Sequence, residues 1–447
     1  MPIEAPGAVR GGRKVKTPML RVGLRRLLSA VIALTFCVSA VFGLLVASSS
    51  DSADTVYREG PAGNDTIPVR ALALTVHDPI FIDGNAEFTN ASGVVWGSGT
   101  ESDPYIIEGW DIDASTANGI EIDNTDAHFI VRTCHVHDGG MSGHGIVLLR
   151  CANGTLDSNN CSNNSYGIGV FSSSENNNIS NNNCSNDIDG LCVWSSDNNT
   201  VSNNNCPNNY MYGICVYLSS GNDLRNNSCS NNSDGIYIYS SSGCALSNNN
   251  CSNNGDGIWL DASSSNTINN NTCSSNTWPG IRFDGSSGNT ISNNNCSNNG
   301  EGIRLDASSS NAIRNNTCLF SYDYGISIIS ASDNRIWNNT LCYNNGAGDA
   351  YDPTHVQAYD NGTNNQWNTS GSPHGYGNYW SDWTGPDDDT NGIVDLPYNI
   401  TGSVKDYYPL TITPTEPIPE LSMMPFVVMV LLAAIVLTIG ARRRKAQ

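Results

Sequence analysis

From residue 119 onward the chain repeats one pattern of apolar and polar positions with a period of about 22 residues. A Gly followed by Ile or Leu recurs at Gly119, Gly145, Gly167, Gly190, Gly213, Gly235, Gly257, Gly280, Gly302 and Gly325. A second apolar column runs through Leu156, Ile179, Val201, Leu224, Leu246, Ile268, Ile291, Ile313 and Ile336. The third column is cysteine, at positions 161, 184, 206, 229, 251, 273, 296, 318 and 342, and Cys134 is expected to lead it. Three columns in one register predict three short strands per repeat. No single repeat of this length can bury its own apolar side, whereas stacked repeats can. The pattern therefore predicts an all-β fold, a right-handed parallel β-helix of about ten coils. The spacing of a leucine-rich repeat is absent, and the period is too short for a propeller blade. Asn-rich stretches such as 180–183 lie between the columns. Asn tolerates the left-handed backbone of tight corners, and stacked Asn side chains can hydrogen-bond up a ladder. Their abundance is expected to be architectural.

Alternation on the first strand separates its two faces. Residues one and three after each Gly are apolar, as in Ile258 and Leu260, and are expected to face in. The residues four after read Phe171, Trp194, Tyr217, Tyr239, Asp261, Asp284 and Asp306. Those two after read Gly169, Cys192, Cys215, Tyr237, Trp259, Arg282 and Arg304. The outer face is thus expected to carry an aromatic ladder followed by an Arg/Asp ladder. Exposed aromatics in a row suit the apolar faces of sugar rings, and Arg and Asp suit hydroxyls or acidic sugars. The same rows also fit cross-strand stacking that stabilises the sheet without a ligand, or packing against a loop or partner. Asp261, Asp284 and Asp306 fall on neighbouring coils about 5 Å apart at the Cα level, near the separation at which retaining glycosidases hold their carboxyls. Three equivalent Asp beside equivalent Arg read as a charge-balanced ladder rather than an acid paired with a base.

Charge and hydropathy add a location. Leu27 to Val46 is an apolar run behind seven basic residues and before Ala47-Ser48-Ser49-Ser50, the order of a signal peptide. It is also long enough to stay as an anchor. Met424 to Gly440 is a second apolar run, followed by Arg442, Arg443, Arg444 and Lys445. Both basic clusters belong on the cytoplasmic side, which leaves the part between them outside. The chain carries a net charge of −21. With the eleven basic residues of the two ends and Glu4 set aside, ten basic and 41 acidic side chains remain between residues 51 and 440. A surface this acidic repels phosphate backbones and excludes nucleic acid as a partner. The expected organisation is a signal peptide or N-terminal anchor over 1–50, a lead-in and cap over 51–118, and repeats over 119–345. A closing module with an acidic loop follows over 346–412, then a Pro-rich stalk over 413–423 and a membrane helix or sorting signal over 424–447.

Gly167-Ile-Gly-Val-Phe171, Asn178-Ile-Ser180 and Gly257-Ile-Trp-Leu-Asp261 resemble the NosD-type, carbohydrate-associated β-helix repeats. Pro79-Ile-Phe-Ile-Asp-Gly84 and Gly97-Ser-Gly-Thr-Glu-Ser-Asp-Pro-Tyr-Ile-Ile-Glu108 resemble the lead-in of archaeal surface members. Gly377-Asn-Tyr-Trp-Ser-Asp-Trp383 and Asp395-Leu-Pro-Tyr398 resemble their closing module. The segment from Pro414 to Glu420, with the apolar run and Arg cluster after it, resembles archaeal C-terminal sorting signals; a plain tail anchor fits equally. The resemblance implies a parallel β-helix at the cell surface and, through the family name, a link to copper.

Three further groups carry possible chemistry. His135 and His137 fall on one face of a strand, where two imidazoles can grip Cu or Zn; they also fit as exposed polar strand residues. Asp387, Asp389, Asn391 and Asp395 sit at positions 1, 3, 5 and 9 of a calcium-type loop with Gly392 at position 6. Tyr398 stands where that loop's bidentate Glu belongs, so a solvated acidic turn is the alternative. The cysteine column is expected to be a ladder of reduced thiols, since in-register neighbours sit beyond disulfide reach. Cys192 and Cys215, outward on adjacent coils, are the better candidates for a bridge. Asn-x-Ser/Thr sites such as Asn64, Asn153, Asn315 and Asn399 allow glycosylation. The expected function is non-catalytic binding of an envelope or environmental polysaccharide, or an envelope scaffold. The alternatives are a polysaccharide lyase or hydrolase on the same face and a copper-handling factor.

Overall fold

The computed structural model describes residues 74–369 and 375–414. Within them the chain winds as a parallel β-solenoid with three strands per coil. Sheet 1 has twelve strands, from Ile80–Asp83 to Ala358–Asp360, every one parallel to its neighbours. Sheet 2 also has twelve, ending at Arg335–Trp337, with one antiparallel pair at its start between Val94–Trp96 and Tyr105–Glu108. Sheet 3 runs as five strands from Thr75–Val76 to Asn183–Ser185. Single bridges from Asn183 to Asn205 and onward to Thr317 carry it through the middle coils. It widens again over Thr317–Leu319, Thr340–Cys342 and Tyr379–Trp380. Stacking thus reaches beyond both ends of the repeat region read from the sequence. Among the described residues helix is confined to three 3-10 turns, and no helix is long and apolar enough to cross a membrane. The two apolar runs, the Pro-rich stalk beyond residue 414 and Asn64 lie outside the described residues.

Each of the three columns becomes one wall of the core. Ile236, Ile258, Leu246, Ile268, Cys251 and Cys273 are all essentially fully buried. The Gly column exists because the chain enters sheet 1 hard against sheet 3. A Cβ added at Gly235 would lie 2.9 Å from the Cys251 Cβ and 2.5 Å from the carbonyl oxygen of Gly257. The cysteine column is shorter at both ends than the spacing predicts. Val136, not Cys134, pairs with Cys161, and Leu341, not Cys342, pairs with Cys318. Cys134 instead occupies the corner before sheet 3, where its N–H donates to Asn159 Oδ1 at 3.1 Å. The thiols between are free and buried, and burial pushes Cys273 and Cys296 up, away from the reactive thiolate.

Adjacent Asn residues divide the corners between them. Asn181, Asn203, Asn226, Asn248 and Asn270 take left-handed φ of 55–57°. The next residue in each coil, Asn182, Asn204, Asn227, Asn249 or Asn271, is about 1% exposed. Each donates its backbone N–H and side-chain amide to the Oδ1 of the Asn one coil further on; for Asn227 these bonds are 2.9 and 3.0 Å. The same amide also reaches the Val201 carbonyl at 2.9 Å. Parallel ladders run through Asn199, Asn222 and Asn266, Asn289 at a second corner, and through Asn209, Asn232 and Asn254 at the third. Buried backbone groups that a turn leaves unpaired are satisfied this way throughout the solenoid.

A C-terminal cap closes the last coil. Trp380 stacks on Tyr398 with ring centroids 3.9 Å apart, and the Trp380 indole N–H donates to the buried Asp406 carboxylate at 3.0 Å. Burial raises the Asp406 pKa to about 6. The hairpin of Tyr398–Thr401 and Val404–Asp406 carries this carboxylate.

Candidate functional site: the outer face of sheet 1

Sheet 1 aligns the predicted ladder in one register. Phe171 pairs with Trp194, Trp194 with Tyr217, and Tyr217 with Tyr239. The row continues from Tyr239 to Asp261, Asp284 and Asp306. Beside it, Cys192, Cys215, Tyr237, Trp259, Arg282 and Arg304 form the second row. Six-residue strands such as Tyr212–Tyr217 and Asp234–Tyr239 hold both rows on a continuous β surface.

The aromatic rows do not all stand out in solvent. Cys192 and Cys215 are fully buried, and the expected bridge is absent, both thiols being free. The small outward side chains leave room, and Tyr166, Phe171, Tyr212 and Tyr217 fold over them as a second apolar cluster with the nearly buried Tyr237. Tyr212 and Tyr237 stack at 4.7 Å. Trp194 and Tyr239 remain the open members, 47% and 37% exposed. Part of the row is therefore cross-strand packing and part is a surface a ligand can reach.

Trp259 marks the junction with the ionic half. Its ring lies 4.8 Å from that of Tyr237, and the Arg282 guanidinium sits over it at 4.3 Å. Arg282 bonds Asp284 at 2.7 Å and the buried Asp256 at 3.3 Å. Arg304 is shared by Glu301 at 3.3 Å and Asp306 at 3.5 Å. The Tyr237 hydroxyl donates to Asp261 at 3.2 Å. Asp284 and Asp306 are thus ion-paired on their own strands. Among the described residues, the Asp256 Oδ1, Trp259 Nε1 and Arg282 Nε atoms are buried at this junction with no protein partner.

A third row, one residue before each Gly, carries Asp189, Asp234, Asp256 and Glu301, all nearly buried. Burial raises the Asp189 pKa to about 6 and pushes Asp234 and Asp256 up as well, with the guanidinium of Arg282 opposing it. Sequence alternation passed over this row because it sits at the strand entrance, before the Gly that marks the strand. It also passed over Tyr210, Trp278 and Tyr322, which are 61%, 62% and 84% exposed on the corner leading into sheet 1. Their signal was available: Thr277-Trp278-Pro279 breaks the repeat where Asn232-Ser233-Asp234 keeps it. A depression at the next corner, lined by Asn124, Asp126, Arg150 and Glu175, is separate; Arg150 there is engaged with Asp123 and Asn124.

The remaining candidates lie apart. His135 and His137 point outward from sheet 3, and Asp111 of the preceding coil meets them. His144 stands away from that pair, against Tyr166 at 4.9 Å, and burial lowers its pKa. In the acidic loop, Asp387 accepts the Asn391 and Gly392 N–H groups at 2.9 and 3.0 Å. Asp389 accepts the Asn391 side-chain amide at 2.8 Å, and Asp395 accepts the Asp388 N–H at 2.8 Å. These carboxylates bond their own loop.

The family model described as "Periplasmic copper-binding protein (NosD)" matches residues 105–249 and 208–385, together more than half of the chain. No curated protein matches the sequence. Among solved structures, the A-module of mannuronan C-5 epimerase AlgE6 from Azotobacter vinelandii is similar at 16% identity and a TM-score of 0.52, over 65% of this chain and 90% of that one. A double mutant of the periplasmic alginate epimerase AlgG is similar at 14% identity and 0.47, over 65% and 84%. The Dettilon tailspike protein is similar at 16% and 0.43, over 64% and 61%. The first of these likenesses supports the parallel β-helix fold.

Proposed function

Because this chain belongs to the NosD family, we propose that it is an exported β-helix protein whose sheet 1 binds a polysaccharide without cleaving it. The observation that carries this reading is the single register that places exposed Trp194 and Tyr239 in line with Asp261, Asp284 and Asp306. Successive coils are about 4.8 Å apart, so each ring or carboxylate meets the next unit along an extended sugar chain. The aromatics offer apolar faces to sugar rings, and the ionic rows offer hydroxyl partners. Acids outnumber Arg282 and Arg304 on this face, which favours a neutral, hydroxyl-rich glycan over a uronate. The ion pairs of Asp284 and Asp306 favour binding over hydrolysis, because neither carboxyl stands apart as an acid or a base. The similar epimerase module acts on mannuronan, which agrees with a sugar polymer as the class of partner. The family description agrees with a place outside the cytoplasm.

The test is a screen of the full-length chain against neutral and acidic polysaccharides, with product analysis of every hit. The reading expects retention on neutral chains, no shortening of the polymer, and loss of retention in a Trp194→Ala/Tyr239→Ala variant. Shortened products would replace binding by catalysis. Unchanged retention in the variant would move the site off sheet 1.

The family description names copper, and the chain does contain donors that fit a metal of that class. They lie on sheet 3, away from the proposed glycan face.

A further inference from the structure

Sheet 3 brings three metal-type donors to one point from two coils. Trp110–Asp113 and His135–His137 pair in parallel, with Asp111 opposite His135 and Asp113 opposite His137. Between them Ile112 and Val136 point into the core, so Asp111, His135 and His137 share the outer face. His135 Nδ1 lies 2.9 Å from Asp111 Oδ1, and His137 Nε2 lies 3.5 Å from the same oxygen. One ligand atom from each of the three residues lies within 4.8 Å of those of the other two. The imidazoles stack with centroids 4.6 Å apart. All three side chains are about a quarter to a third exposed, so the cluster is open to solvent ions.

We propose that Asp111, His135 and His137 form a binding site for a divalent first-row transition-metal ion. Bonds of about 2.0–2.2 Å to His nitrogen and carboxylate oxygen set ligand atoms roughly 3.0–3.5 Å apart, close to the 2.9 and 3.5 Å that separate the two imidazole nitrogens from Asp111 Oδ1. Two imidazoles and one carboxylate are borderline donors, suited to Zn²⁺ or Cu²⁺, with Cu²⁺ held more tightly by the general order of affinities. Asp138 completes the arrangement. Its carboxylate lies 2.9 Å from His137 Nδ1, which fixes the ring and turns Nε2 toward Asp111. The repeat shows that this is a departure and not a by-product of stacking. In the next two coils the positions of His135 and His137 are held by Asn160 and Ser162, then by Asn183 and Ser185. Three protein ligands leave coordination positions for water or an incoming group.

The repeat also supplies variants that keep the fold. His135→Asn and His137→Ser copy what the following coil already uses. The full-length chain, stripped with a chelator, is titrated calorimetrically with Zn²⁺ and with Cu²⁺. The Cu²⁺ form is examined by electron paramagnetic resonance for nitrogen hyperfine coupling. One equivalent is expected to bind, with nitrogen coupling. The double variant is expected to lose it while its circular dichroism stays that of the parent. Asp138→Asn is expected to weaken binding on the order of 10–100-fold. His355→Asn, at a separate exposed His–Asp pair, is expected to change nothing. The proposal is overturned if neither ion binds stoichiometrically to the folded parent. It is equally overturned if the folded double variant binds as well as the parent.

Discussion

Asn248 and Asn249 are neighbours with different jobs. Asn248 is exposed and takes φ 56°, so Ala there costs only the left-handed backbone, about 1 kcal/mol. Asn249 is buried; it accepts from the Asn227 N–H and amide and donates to Asn271 and to the Leu224 carbonyl. Asn249→Ala leaves several buried groups unpaired and is expected to cost about 2–4 kcal/mol, read as a lower urea midpoint. Equal costs at the two sites would contradict this division. The sequence shows both residues as members of an Asn run, and only the burial distinguishes them.

Asp187 tests the third-corner ladder by charge. It stands between Asn164 and Asn209, accepting the Asn164 N–H at 2.7 Å and donating its own N–H to Asn209 at 3.0 Å. Its Oδ2 is buried without a partner among the described residues, and burial raises its pKa to about 8 from 3.8. Between about pH 4 and pH 8 the folded chain keeps a proton that the unfolded chain has released, so this group's contribution to stability falls as pH rises. Asp187→Asn restores an amide to the ladder. It is expected to raise stability at pH 8 by roughly 1–3 kcal/mol and to flatten the slope of the urea midpoint from pH 4 to 8. Asp189, Asp234 and Asp406, raised to about 6, and Asp256, raised to about 7, account for a residual slope at lower pH. A slope identical to that of the parent would contradict the assignment.

At the scale of the strand, alternation set out the two rows of sheet 1 correctly, because strand period and burial agree there. It failed where side-chain size intervened. Cys192 and Cys215 alternate outward, yet the tyrosines beside them close over the space they leave. The cysteine column failed at its ends for a related reason. Regular spacing made Cys134 and Cys342 look equivalent to Cys161, but the first coil is longer and the strand at Thr340–Cys342 aligns Leu341 instead. Asp111 was invisible as a partner of His135, since only the register of that longer coil, 24 residues apart, brings the two together.

Over the whole molecule, period and composition were enough to give the solenoid, because every coil buries the same three columns. In such an architecture each coil interacts chiefly with its neighbours. Ile281 and Ile303 occupy one register, so deleting residues 282–303 removes one complete coil without shifting the next. That deletion is expected to keep the β-sheet circular dichroism and a single melting transition. Deleting only 282–292 misaligns all three columns and is expected to abolish the fold. Tolerance of the half-coil deletion, or collapse on removal of the whole one, would contradict the stacked-coil account. What the period could not yield is the difference between coils, and the candidate chemistry lies in those differences: Trp278 at one corner, His135 and His137 on one strand, the change from aromatic to ionic at Trp259.

What is proposed for sheet 1 is a sugar polymer lying along it across that change. Hydroxyl-radical footprinting of the full-length chain, with and without the neutral polysaccharide it retains most strongly, tests this at the level of single side chains. Protection of Trp194 and Tyr239 is expected, while His135 on sheet 3 and Tyr343, 40% exposed just after the sheet 3 strand Thr340–Cys342, react as in the free protein. Protection centred on sheet 3, or a footprint in which Trp194 and Tyr239 react as in the free protein, would contradict it.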